Sequence, residues 1–305
     1  MVVLGALAGY LLFGAAGALG AGAVLVNLLT PLPAAMLAMR CGPLWGVATA
    51  GLTTLAILVT SGVAAMLLFL LQFGVPATLL PWLLTRGVSW DRAVFATVGL
   101  IVALGSVALL AFASSTGQSA FVLVDSLVDQ EISQAVTMME EFAATPEQTP
   151  AEVEAFREAV TGMGEFMRRV YPGMLVAVGG AMQLVTVGLL ALLIRPKALP
   201  GPGFAQWRVP ELLIWLLITC GFGVAFSAGA LQTVALNLLI LLLPLYFLQG
   251  LAVVEHFLAG KGLSPLLRGV SYLFLLVINP LPAIVTGVGV FDLWADFRKP
   301  RPSKD

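Results

Sequence analysis

The chain has 305 residues, of which 60% are hydrophobic and 10% charged. Soluble domains carry roughly 45–50% apolar and about 25% charged residues, so a mean hydropathy of +1.02 excludes a single core inside a polar shell and describes an all-α polytopic membrane protein. Fifteen basic against sixteen acidic residues exclude a nucleic-acid surface, and two cysteines with one histidine make neither a disulfide framework nor a zinc site.

Charges mark the span ends, because an ionisable side chain at the bilayer centre costs about 2.5–3.5 kcal/mol on insertion scales. Residues 1–39 carry none, which leaves room for two short spans before Arg40, with the turn among Gly14, Gly17, Gly20 and Gly22. The charge-free run 41–85 predicts spans at 43–60 and 63–84, bounded by Arg86, Asp91 and Arg92. A fifth span at 93–113 completes an N-terminal membrane half, residues 1–113. Pairs such as Gly5 with Gly9 and Gly42 with Gly46 have the spacing that lets membrane helices approach closely.

Residues 114–170 hold ten acidic residues against Arg157, Arg168 and Arg169. Apolar residues recur at helical spacing through Phe121, Val124, Val128, Ile132, Val136 and Met139, and again through Val153, Phe156, Val160, Met163 and Met167. Thr149-Pro150 ahead of Glu152 is a helix start. The pattern predicts an extramembrane amphipathic helical hairpin broken at 144–150, acting as a solvated cap or as a gate over a binding cavity.

The C-terminal membrane half, 171–292, predicts spans at 172–194, 210–228 and 231–256. The last apolar run, 269–291, is split at Asn279-Pro280-Leu281-Pro282, since each proline removes a backbone donor and the residue before it avoids the helical region. A basic tail, 293–305, follows. Lysine and arginine in the loops at 86–92 and 195–208 put these loops and both termini in the cytoplasm and the acidic segment outside. About eight full spans fit this arrangement, with the last run a broken hairpin or one early segment re-entrant.

Polar residues inside spans are the functional candidates. Asn237, Pro244 and Glu255 fall near one face of the 231–256 helix, with Gln249 and His256 on a neighbouring stripe. Asn237, Gln249 and Asn279 are expected to line a ligand cavity, and Glu255 and His256 to carry proton coupling. The structural alternatives are helix–helix hydrogen bonds for Asn237 and Gln249, a solvated interfacial pair for Glu255 and His256, and an interfacial anchor for Asp292, Trp294, Asp296 and Arg298. Gln72, Gln183 and Asn27 are single polar residues without a partner identifiable in the sequence. No catalytic residue and no cofactor is expected. An intramembrane aspartate pair, a base beside Ser227 and a glycine-rich loop with lysine are all missing.

The stretch Pro31 to Gly46, with a proline-containing span, Arg40, then Gly42-Pro43 and Gly46, resembles the YybS-like family of bacterial membrane proteins. Leu248-Gln249-Gly250 and the ending Gly289-Val-Phe-Asp292-Leu-Trp294-Ala-Asp296-Phe297-Arg298 are similar to the same family, and the resemblance covers nearly the whole chain. That family is sometimes grouped with the S components of energy-coupling factor transporters. The resemblance implies an inner-membrane helical domain that binds a small solute, such as a vitamin or metal ion, and works with a membrane scaffold subunit and two cytoplasmic ATPases. The expected function is therefore binding or transport of a small solute. The alternative is a non-transporting scaffold that recruits a protein partner through the acidic hairpin or the basic tail.

Overall fold

In a computed structural model the described residues are 1–18, 23–119, 122–126, 129–130, 133–134, 137, 150–194 and 199–299. Among them there are helices and no strand. The expectations for Gly20, Gly22, Phe121, Val128, Ile132, Val136, Met139, the break at 144–149 and the tail beyond 299 lie outside the described residues.

Two compact units form, Met1–Ala120 with Val178–Gly201, and Phe121–Ala177 with Pro202–Asp305. The first holds α1 (Val2–Ala18), α2 (Ala23–Leu29), α3 (Leu32–Cys41), α4 (Pro43–Phe69), a π-helical turn (Leu70–Gly74), α5 (Val75–Thr85), α6 (Trp90–Thr116) and the end of α7 (Pro150–Leu193). The second holds the start of α7, α8 (Leu212–Phe226), α9 (Gly229–Gly260), α10 (Pro265–Val277) and α11 (Leu281–Ala295).

Among the described residues, four runs are long and apolar enough to cross a membrane: Pro43–Thr85, Trp90–Thr116, Thr161–Leu193 and Gly229–Gly260. The pair Leu267–Val277 and Leu281–Ala295, bent by 103°, makes a fifth if it is one broken span. Val2–Ala15, Val26–Cys41 and Leu212–Phe226 are apolar but shorter. The run Pro43–Thr85 has 43 residues, about 64 Å of helix and twice the roughly 30 Å hydrocarbon core. It breaks at Gly62 (φ 83°), between the two stretches that the charge-free run predicts as separate spans. Only glycine takes that conformation without strain.

The expected division between a second amphipathic helix and a span opening at 172 is corrected. α7 runs through Pro172 as one helix of 44 residues. Its start at Pro150 follows the Thr149-Pro150 signal.

The core of the first unit joins Leu32, Ala35 and Ala50 to Leu80, Ala93 and Leu190. Small residues allow the contacts: a Cβ on Gly46 would lie 2.5 Å from Ala38 Cβ, and one on Gly5 would lie 2.8 Å from Leu37 Cδ1. A second cluster packs Phe13 edge-on against Phe69 at 5.5 Å between ring centroids. At one end Arg40 Nη2 donates to Leu193 C=O at 2.9 Å, closing the α7 C-terminus, and Trp90 N–H donates to Pro200 C=O at 2.9 Å. Residue 40 therefore meets residue 193, and residue 90 meets residue 200, within this unit.

In the second unit α9 and α11 touch backbone to backbone. A Cβ on Gly250 would fall 2.0 Å from Val285 C=O, and one on Gly289 would fall 1.9 Å from Tyr246 C=O. Backbone cannot step aside as a flexible side chain can, so Gly250→Ala and Gly289→Ala are each expected to destabilise the protein by about 2–3 kcal/mol. Gly51→Ala, where no heavy atom lies within 4 Å of the added Cβ, should be neutral or stabilising by about 0.5–1 kcal/mol, as expected for alanine in an open helical position. Unfolding of the three variants in detergent checks both expectations.

Candidate functional site

The α9–α11 contact brings Gln249 to Asp292. Gln249 Nε2 donates to Asp292 Oδ2 at 3.3 Å, while Gln249 Oε1 accepts from Val209 N–H at 3.0 Å. Asp292 is fully buried at 0% exposure. Its other oxygen accepts from Phe297 N–H at 3.2 Å, and its charge is met by Arg298 Nη2 at 2.5 Å. Arg298 also donates to Ala205 C=O at 3.0 Å and Trp207 C=O at 2.8 Å, and its Nε has no partner among the described residues. The guanidinium thus fastens the chain after α11 to the segment before α8.

The interfacial-anchor expectation for Asp292 and Arg298 is corrected, since both side chains are buried as one ion pair. Trp294 keeps the exposed position expected of an anchor. Asp296, in a left-handed cap after α11, lies between Lys299 and Arg208. The hydrogen bond from Lys299, then that from Arg208, holds its carboxyl below the usual range.

Glu255 forms a second cluster towards the end of α9. One carboxylate oxygen accepts from Arg268 Nη1 at 2.8 Å and the other from the Tyr272 hydroxyl. Arg268 also donates through Nε to Leu263 C=O at 2.9 Å, which holds it at the start of α10. The ion pair is half-buried, with side-chain exposures of 28% for Arg268 and 17% for Glu255. α10 then ends at Ile278 and the chain turns at Asn279-Pro280 into α11. His256 sits edge-on to Phe257 at 5.7 Å. Successive helical residues point about 100° apart, so His256 and Glu255 do not share a face.

The three residues expected to line one cavity are in three places. Asn237 bonds to α7, accepting from Gly173 N–H at 2.7 Å and donating to Arg169 C=O at 2.6 Å. Gln249 is twelve residues on, about 18 Å along the same helix, and bonds as described. Asn279 is exposed at the α10–α11 turn. Sequence reasoning missed Arg268 and Tyr272 as partners of Glu255. The signal was present, since a charge four residues into a helix and an aromatic four residues later share one face. In the first unit Gln72 Nε2 reaches Met182 Sδ at 3.9 Å, and Gln183 is buried with its Oε1 lacking a hydrogen-bond partner among the described residues.

Removing one partner of a buried ion pair strands the other charge. Arg298→Leu alone is expected to cost about 3–5 kcal/mol, and Asp292→Leu with Arg298→Leu markedly less. Equilibrium unfolding of the single and double variants in detergent checks this.

Residues 8–293 match the model of a family described as "Predicted membrane protein (DUF2232)". No curated protein and no solved structure matches the chain. With apolar helices long enough to cross a bilayer and a family match over nearly its whole length, the chain belongs to this family of integral membrane proteins.

Proposed function

We propose that this protein is a solute-binding membrane subunit, of the kind its resemblance to energy-coupling factor S components implies, and that its solute engages the Glu255 cluster. The carrying observation is the half-buried Glu255–Arg268–Tyr272 group beside the α10–α11 pair, which is bent by 103°. Discontinuous helices that turn within a membrane domain place polar groups at binding sites in transporters. A carboxylate held by an arginine and a phenol is closed onto its own chain. A solute with a cationic or hydrogen-bond-donating group enters by taking the place of one of them. Glu255 and His256 serve proton coupling in this reading, and cytoplasmic ATPases with a membrane scaffold subunit supply the energy. The chain sits in the bacterial inner membrane as a multi-pass protein with both termini inside and the acidic segment outside.

One observation favours the scaffold reading. The amides of Asn237 and Gln249 are both engaged in internal hydrogen bonds, so neither is open to a ligand in this conformation. A scaffold recruits its partner through the acidic segment or the basic tail.

Native mass spectrometry of the full chain, purified in mild detergent from its own host, separates the two. A small molecule retained by the wild type and lost by Glu255→Gln supports solute binding at this cluster. Loss of a hydrogen bond to a charged group, about 1.5–3 kcal/mol, corresponds to an occupancy drop of roughly tenfold or more. A protein partner with no small molecule contradicts the solute reading and supports the scaffold.

A further inference from the structure

Pro172 lies inside α7 and removes one backbone donor there. The next residue, Gly173, sends its N–H to Asn237 Oδ1 of α9 at 2.7 Å, and Arg169 C=O accepts from Asn237 Nδ2 at 2.6 Å. Gly173 N–H and Arg169 C=O are an i, i−4 pair, the two groups that a regular helical turn joins to each other. The Asn237 carboxamide offers both an acceptor and donors, so it bridges the two ends of that α7 turn. A further donation to Thr233 C=O at 2.8 Å fixes it to its own helix. The bridge needs glycine at 173, where a Cβ would lie 2.7 Å from Asn237 C=O and 2.9 Å from its Oδ1.

We propose that this bridge is a conformational joint. α7 exchanges between the Asn237-bridged turn and a turn in which Gly173 N–H closes onto Arg169 C=O. The part of α7 ahead of Pro172 moves with the exchange. Neither state leaves the two backbone groups unpaired, which in a membrane domain is the condition for a turn to have two arrangements. Arg168 pairs with Asp129 at 2.8 Å, so Asp129 travels with it. α9 stays in place, held by the Gly250–Gly289 crossing. In the closed-turn state the Asn237 amide is released, and a polar group that hydrogen-bonds to it favours that state. The joint thereby connects the membrane domain to the acidic extramembrane segment.

The test is a distance measurement on the full chain in lipid nanodiscs, with spin labels at Met163→Cys and Leu231→Cys and with Cys41 and Cys220 replaced by serine. Both label positions are exposed. The wild type should show one main distance and a minor second one. Asn237→Ala, which removes the bridge, and Gly173→Ala, which wedges it out, should each make that same second distance the main one. A variant that loses its cooperative thermal transition is replaced by Asn237→Asp, which cannot donate to Arg169 C=O and should shift the populations the same way. An unchanged distance in the variants overturns the joint, as do separate broad distances that the wild type never samples.

Discussion

The second unit depends on the close approach of α9 and α11 at Gly250 and Gly289. Between membrane helices there is no hydrophobic drive, so packing and hydrogen bonds hold them together. Glycine on both sides lets the two backbones meet. Once they do, Gln249, one residue from Gly250, reaches Asp292, three residues from Gly289. The aspartate is then buried and requires its counter-charge from Arg298, which in turn fastens the carbonyls of Ala205 and Trp207. Val209 N–H finds Gln249 Oε1. Each contact makes the next one necessary.

The same need for partners governs the helix ends and breaks. Water is scarce in the bilayer core, so a free backbone group takes whatever polar side chain is near. Arg40 closes the end of α7, Ser264 Oγ accepts from Leu267 N–H at the start of α10, and Asn237 bridges Gly173 N–H and Arg169 C=O of α7. The polar side chains that stand out in an apolar sequence are in these cases structural in the conformation described. The Glu255 cluster differs, being half-buried and made of charged and hydroxyl groups. That contrast moves the solute-binding proposal from the two amides to the carboxylate.

Much of the helical layout was legible from the placement of charges and prolines. The apolar run after Arg40 divides at Gly62, and the last apolar run divides at Asn279-Pro280. Both signals are local, one a conformation that glycine alone tolerates and the other a lost backbone donor. The partners were not legible. Asn237 meets the backbone of a helix 64 residues earlier, and Gln249 meets a carboxylate 43 residues later. Periodicity gives the face of a helix but not the helix opposite it. Pro172 was misleading too, since α7 continues through it as one helix. The segments 248–250 and 289–298 are joined by the fold.

The most direct test of the account is whether Gln249 and Asp292 are energetically coupled. A double-mutant cycle with Gln249→Leu and Asp292→Leu, read by reversible unfolding of the full chain in a bilayer mimic, isolates that term. Contact in a buried network predicts a coupling energy of about 1 kcal/mol or more. Additivity to within about 0.3–0.5 kcal/mol, as for residues that do not touch, would contradict the crossing of α9 and α11 on which the second unit is built.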